Sequence, residues 1–215
     1  MRASNLLIVL ADGMQAESID PGHICQTPNL DALAGRGLRF RNAHTTCPTC
    51  SPARASLMTG RLPHNHGVLD VEHGRDADQC VLRTEHPHFA QRLSEAGYRT
   101  GYFGKWHIER SQDLRRFGWR ESVVKSVSHV RDMGKGDVGP PGLELDPALR
   151  GYLEGPPGYR RILHWAVTDT PWDQRFPGLT VLDAERFLDD ALSGMEAWCC
   201  CVSFSEPNEA LVVGR

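Results

Sequence analysis

Cys50 and Arg54 stand four residues apart in the stretch Cys47-Pro48-Thr49-Cys50-Ser51-Pro52-Ala53-Arg54-Ala55-Ser56-Leu57-Met58-Thr59-Gly60-Arg61. Pro48 disfavours helix before it, and Pro52 suits the first turn of a helix. Ala55, Leu57 and Met58 are good helix formers, and Gly60 fits a C-cap. Cys50 is therefore expected at a helix N-terminus, where free N–H groups and the helix dipole favour negative charge. Arg54, one turn on, can face the same point. A thiol, a helix N-terminus and a guanidinium converging there make an oxyanion site with a reactive group inside it.

Two further places carry chemistry. Asp12 comes just after the apolar run Asn5–Leu10. A carboxylate at such a strand end suits a hard divalent cation, or serves as a turn or cap residue. Lys105 and His107 flank Trp106, so an extended backbone would turn both to one side. Such a pair can hold an oxyanion and move a proton. The residues alone equally allow a surface lysine and a satisfied histidine.

The elements that must position these groups follow from hydrophobic pattern. Asn5–Leu10 reads as a buried parallel strand, which delivers Asp12 where open α/β sheets place ligands. Thr27 and Pro28 open a helix that Gly35 and Gly37 end, and Leu38–Arg41 alternates as a half-buried strand. Pro87–Ala96 reads as a helix with Gly97 as its cap, followed by a strand over Tyr98–Phe103 that delivers Lys105. Residues 131–161 are rich in glycine and proline and read as a long loop or insertion. Leu179–Leu192 is an amphipathic helix, and Trp198–Phe204 a further buried strand. His64 and His66 suit either a metal or a polar loop, with the polar loop the better reading.

The run Cys50-x-Pro52-x-Arg54 with Leu57-Met58-Thr59-Gly60-Arg61 resembles the signature of the sulfatase family. Gly104-Lys105-Trp106-His107 resembles that family's second signature, and Thr27-Pro28-Asn29-Leu30-Asp31 with Gly37 and Phe40 its pattern before the modified cysteine. The resemblance implies an alkaline-phosphatase-like α/β fold, a three-layer sandwich with a largely parallel central sheet. It implies that Cys50 is converted to formylglycine by a formylglycine-generating enzyme, and that the aldehyde hydrate attacks a sulfate ester. Arg54, Lys105 and His107 would act with it, and Lys105, His107 and Asn208 would contact the sulfate. A divalent metal, Ca²⁺ or else Mg²⁺ or Mn²⁺, would sit on Asp12 and the modified Cys50. Two departures stand out. Gly13 replaces a second aspartate, and Pro207-Asn208 replaces a Pro-His pair; asparagine cannot carry a proton or a positive charge. The resemblance spans Asn5 to about Asn208 and covers the N-terminal portion of a sulfatase, so residues 1–215 are expected to form an incomplete domain with weak or no activity as it stands. Its last strand is then expected to leave an open edge or an apolar surface.

Composition sets outer bounds. The 215 residues are 40% hydrophobic and 24% charged, with a net charge of -3. That is ordinary for a soluble globular chain and gives no global attraction to nucleic acid or anionic membrane. No apolar run is long enough to span a bilayer, and Met1–Ser4 leads straight into the first strand without a signal-peptide pattern. A cytosolic location is expected. Seven cysteines, three of them consecutive at 199–201, fit reduced thiols better than a disulfide framework. Four readings are therefore carried forward: a sulfatase, a phosphonate monoester or phosphodiester hydrolase of the same superfamily, an inactive sulfatase remnant, and a cysteine-based redox or zinc module.

Overall fold

The computed structural model describes residues 3–71, 82–125, 142–154, 157, 162–208 and 211–215. Four parallel strands form the central sheet: β1 (Leu6–Asp12), β2 (Arg99–Gly104), β3 (Glu121–Val124) and β6 (Trp198–Pro207), in the order β1-β6-β2-β3. A second sheet joins β4 (Arg150–Leu153), β5 (Ile162–Thr168) and β7 (Leu211–Gly214), with β5 in the middle. The helices are α1 (Pro28–Ala34), α2 (Cys50–Thr59), α3 (Pro63–His66), α4 (Phe89–Glu95) and α5 (Phe176–Ser193).

Strand alternation divides the core in two. Tyr102, Cys199 and Cys201 face one side, where they pack with Ala55 and Met58 of α2, Ala90 of α4, and Trp106, Phe117 and Trp119. Phe103, Cys200 and Val202 face the other, against Ala184, Phe187 and Ala191 of α5. The expected three layers, helix on sheet on helix, result directly. The same alternation explains the cysteine run. Its thiols are small apolar core groups, and burial pushes Cys199 up to about 11 and Cys200 up to about 12. Cys200 points away from Cys199 and Cys201, so the three cannot close on one metal.

Several expectations are corrected. β1 is not buried: it lies at the sheet's edge, bonded to β6, with Leu7 54% and Val9 59% exposed. β1 and β3 are the two edges of the central sheet, with Trp198–Pro207 inside it, and the last strand, β7, is an edge of the second sheet with Leu211 and Val213 exposed. Leu38–Arg41 is not a strand, and Leu38 and Phe40 face solvent. The Gly/Pro-rich stretch 131–161 is only partly described, since 131–141, 155–156 and 158–161 lie outside the described residues. Its described part includes β4, which pairs antiparallel with β5, so that part is sheet rather than loop.

His88 shows how tightly the first core half is packed. It precedes α4, stacks on Phe117 at 4.6 Å and faces Trp106 at 5.9 Å. Burial, helped by the charges of Arg116 and His66, pulls its imidazole down to about 4 from an ordinary 6.5. The unfolded chain takes up this proton near pH 6.5, whereas the folded one resists until about pH 4. Stability is therefore complete above the unfolded value and declines as pH falls toward the folded one, by about 3 kcal/mol in all. Urea denaturation across this window will show that decline, and His88→Phe will flatten it.

Candidate active site

α2 begins at Cys50, as the sequence requires. Thr49 is its extended N-cap, and Gly60 closes it in the left-handed conformation at φ 66°, donating its N–H to the Ser56 carbonyl at 2.8 Å. The Cys50 thiol carries no disulfide and is half-buried. It lines a cavity of about 540 Å³ together with Asp12, Arg54, His44, Thr45, Thr46 and Arg61. The cavity opens at the carboxyl ends of the parallel strands, the edge at which open α/β sheets bind ligands.

Arg54 is buried and held through both of its Nη groups. Its Nη1 donates to the Lys105 carbonyl and to Ser203 Oγ, both at 2.7 Å, and its Nη2 reaches Asp12 Oδ2 at 3.3 Å. Lys105 Nζ meets the same Asp12 oxygen at 2.5 Å and is 2% exposed. Two cations thus share one carboxylate, leaving a net positive charge next to Cys50. Water is largely shut out of this cluster, so the excess charge is weakly screened and favours an anion.

Lys105 does not reach this place through strand alternation. β2 ends at Gly104, whose φ of 104° turns the chain, and His107 takes φ 54°. Lys105, Trp106 and His107 are all buried. The structure ties Asp12, Arg54 and Lys105 into one cluster; Asp12 and Arg54 line the cavity with Cys50, whereas Lys105, His107 and Asn208 are not among its lining residues. His107 lies buried in the adjoining turn. Asn208 lies against Gly13: a Cβ built on Gly13 would come within 2.8 Å of the Asn208 Cβ and 2.9 Å of its Oδ1. The two departures from the sulfatase pattern are thus one spatial fact, because Asn208 fills the room a side chain at position 13 would need.

Sequence reasoning missed Tyr102 and Ser203. Both are buried, and both donate to the Lys105 carbonyl, at 2.5 and 2.8 Å. The lone hydroxyl of Ser203 within the apolar run 198–204 was the available signal. It also missed the role of His66, which is buried with Nε2 2.9 Å from Ser56 Oγ. Val68 donates its N–H to His66 Nδ1, so Nε2 carries the proton and donates to Ser56. Thr46 donates to the same Ser56 Oγ at 2.8 Å, which pins the 44–46 wall of the cavity to α2.

The donor set does not complete a divalent-cation site. Asp12 is one carboxylate, already held by two cations, and Gly13 offers no side chain. Among the described residues no group of three or more His, Cys, Asp or Glu side chains could hold a metal. A hard cation such as Ca²⁺ takes six to eight oxygens.

A mostly parallel central sheet between helical layers, with a thiol at a helix head facing a pocket at the strands' carboxyl edge, is the architecture of an α/β protein of alkaline-phosphatase-like fold. The solved structure of Ps i-CgsB superposes over 95% of this chain and 45% of its own, with a TM-score of 0.67 at 20% identity. The choline-sulfatase of Rhizobium meliloti is 30% identical over 98% of this chain and 40% of its own length. Human N-sulphoglucosamine sulphohydrolase is 42% identical over 50% of this chain and 21% of its own. The family model Sulfatase matches residues 4–120. The chain belongs to the sulfatase family, and it spans less than half the length of these relatives.

Proposed function

We propose that this chain carries the oxyanion-binding half of a sulfuric ester hydrolase centred on Cys50 after its conversion to formylglycine. The observation that carries this reading is the cluster of Arg54, Lys105 and Asp12 beside an unbridged Cys50 at the head of α2. Arg54 and Lys105 grip the tetrahedral anion, and the free N–H groups of the first turn of α2 add to that pull. Arg54, fixed at one edge by Lys105 and Ser203, stabilises the charge that develops as the ester bond breaks. His107 takes the proton from the remaining hydroxyl of the sulfated formylglycine hydrate as the C–O bond to sulfate breaks and the aldehyde reforms. The formylglycine hydrate supplies the oxygen nucleophile and, later, the collapse that frees sulfate. Asn208 contacts the sulfate or its neighbours through its amide.

Asp12 serves here as the counterion that orients Lys105 and Arg54. Its further role as a metal ligand, with the modified Cys50, calls for oxygen donors beyond the described residues. The six described cysteines are unbridged, which supports a reducing compartment such as the cytosol and leaves Cys50 available to a formylglycine-generating enzyme. No described helix is long and apolar enough to cross a membrane.

Two alternatives have specific support. A phosphonate monoester or phosphodiester fits the same cradle, since phosphorus and sulfur oxyanions are both tetrahedral. An inactive remnant fits the single carboxylate at Asp12. Co-expression with a formylglycine-generating enzyme, followed by mass spectrometry of the Cys50 peptide, will show the thiol replaced by an aldehyde. The modified chain will then hydrolyse an aryl sulfate faster than phenyl phosphonate, and Cys50→Ala will lower that rate at least about a thousandfold. Faster phosphonate turnover would favour the first alternative. Aldehyde at Cys50 with neither ester hydrolysed would leave only the remnant.

A further inference from the structure

The Lys105 carbonyl is an unusual acceptor. Arg54 Nη1, Tyr102 OH and Ser203 Oγ all donate to it, at 2.7, 2.5 and 2.8 Å. Ser203 both donates to this carbonyl and accepts, its oxygen taking a hydrogen bond from Arg54 Nη1 at 2.7 Å. It therefore closes a three-membered ring of hydrogen bonds among Arg54, the Lys105 carbonyl and its own hydroxyl. Every bond in the ring is buried, where charge-assisted hydrogen bonds are strongest.

The ring is placed by the sheet. Ser203 pairs with Gly104 in the β2–β6 register, and the Ser203 carbonyl accepts the Lys105 N–H at 2.8 Å. The hydroxyl and carbonyl of one residue thus hold Arg54 and the Lys105 backbone together. A guanidinium is planar, so fixing Nη1 fixes where Nη2 points. Nη2 is the edge that reaches Asp12 and the cavity.

We propose that Ser203 is a positioning residue for Arg54: it locks the inner edge of the guanidinium so that the outer edge meets the anion in a single orientation. Tyr102 supports it by holding the shared carbonyl from β2, the strand that leads into Lys105. The effect on turnover rests on the hydrolase reading above; the effect on Arg54 does not. Without the Ser203 hydroxyl, Arg54 keeps its partners at Lys105 and Asp12 but gains freedom to rotate. Anion affinity then falls through lost orientation, while Cys50 and the charges of the cluster stay in place.

The test is ¹⁵N NMR of the arginine side chains, with Arg54→Lys identifying the Arg54 signals. In the wild-type protein the Arg54 Nη protons will be resolved and slow to exchange. In Ser203→Ala they will average and exchange at least about tenfold faster, and inorganic sulfate affinity by calorimetry will drop about tenfold through the lost orientation of the guanidinium. Ser203→Thr, which keeps the hydroxyl, will restore both. Ser203→Cys preserves the volume with a weak hydrogen-bonding group, and it replaces the alanine variant should that not fold. Unchanged Arg54 signals in a folded Ser203→Ala or Ser203→Cys protein overturn the proposal. Absence of ester turnover by the wild-type chain would count against the hydrolase reading alone, since the Arg54 signals are read without substrate.

Discussion

Lys105→Met will abolish detectable sulfate binding and lower stability by about 3 kcal/mol. Lys105 is buried with its ammonium 2.5 Å from Asp12, and removing one member of such a pair leaves the other charge in a poor solvent. The cost falls at the low end of the usual range because Arg54 remains 3.3 Å from the same carboxylate. Methionine keeps most of the side-chain volume, so the loss is electrostatic rather than a cavity effect. The double variant Lys105→Met/Asp12→Asn separates stability from function. It removes the unpaired carboxylate and should recover most of the lost stability, yet it restores no cation for the anion to meet. Urea denaturation and sulfate calorimetry on the two variants check this together. Recovery of sulfate binding in the double variant would mean that Lys105 only balances Asp12 and does not hold the ligand.

Gly104→Ala will be the most damaging small substitution in the sheet, costing at least about 3 kcal/mol or preventing folding. At φ 104° an alanine is strained before packing is considered, and its Cβ would lie 1.9 Å from the Ser203 carbonyl oxygen. That oxygen accepts the Lys105 N–H, so relief of the clash must part β2 from β6 and shift Lys105, Ser203 and Arg54 at once. Gly60→Ala is the control. Gly60 also has positive φ, but nothing lies within 4 Å of its added Cβ. Only the conformational cost remains there, about 1–2 kcal/mol. Denaturation midpoints for the two variants should differ clearly; similar values would show that the close approach of β2 and β6 relaxes without cost.

Local chemistry was legible in the sequence. The α2 boundaries, with Cys50 at the start and Gly60 at the left-handed end, follow from proline, alanine and glycine propensities that act over a few residues. The same holds for α4, α5 and the strands β2 and β6, whose apolar patterns are strong. The grouping of Cys50, Arg54 and Asp12 around one cavity was foreseen from strand-end and helix-end placement and from the resemblance to sulfatases.

Other features needed the whole fold. Apolar content made Asn5–Leu10 look central, but strand order is set by which segments pack on which, and it put β1 at the edge. Lys105 was expected to turn inward by strand alternation; Gly104 and His107 instead bend the chain, and the pairing with Asp12 draws the ammonium in. Ser203 lies 149 residues from Arg54, and Asn208 lies against Gly13 from almost the far end of the chain. Residue type and spacing determined which groups could do chemistry and which turn or strand end would carry them. Contacts between distant segments decided which groups met, because a buried charge settles wherever its partner and its last hydrogen bond are, and no local pattern records that.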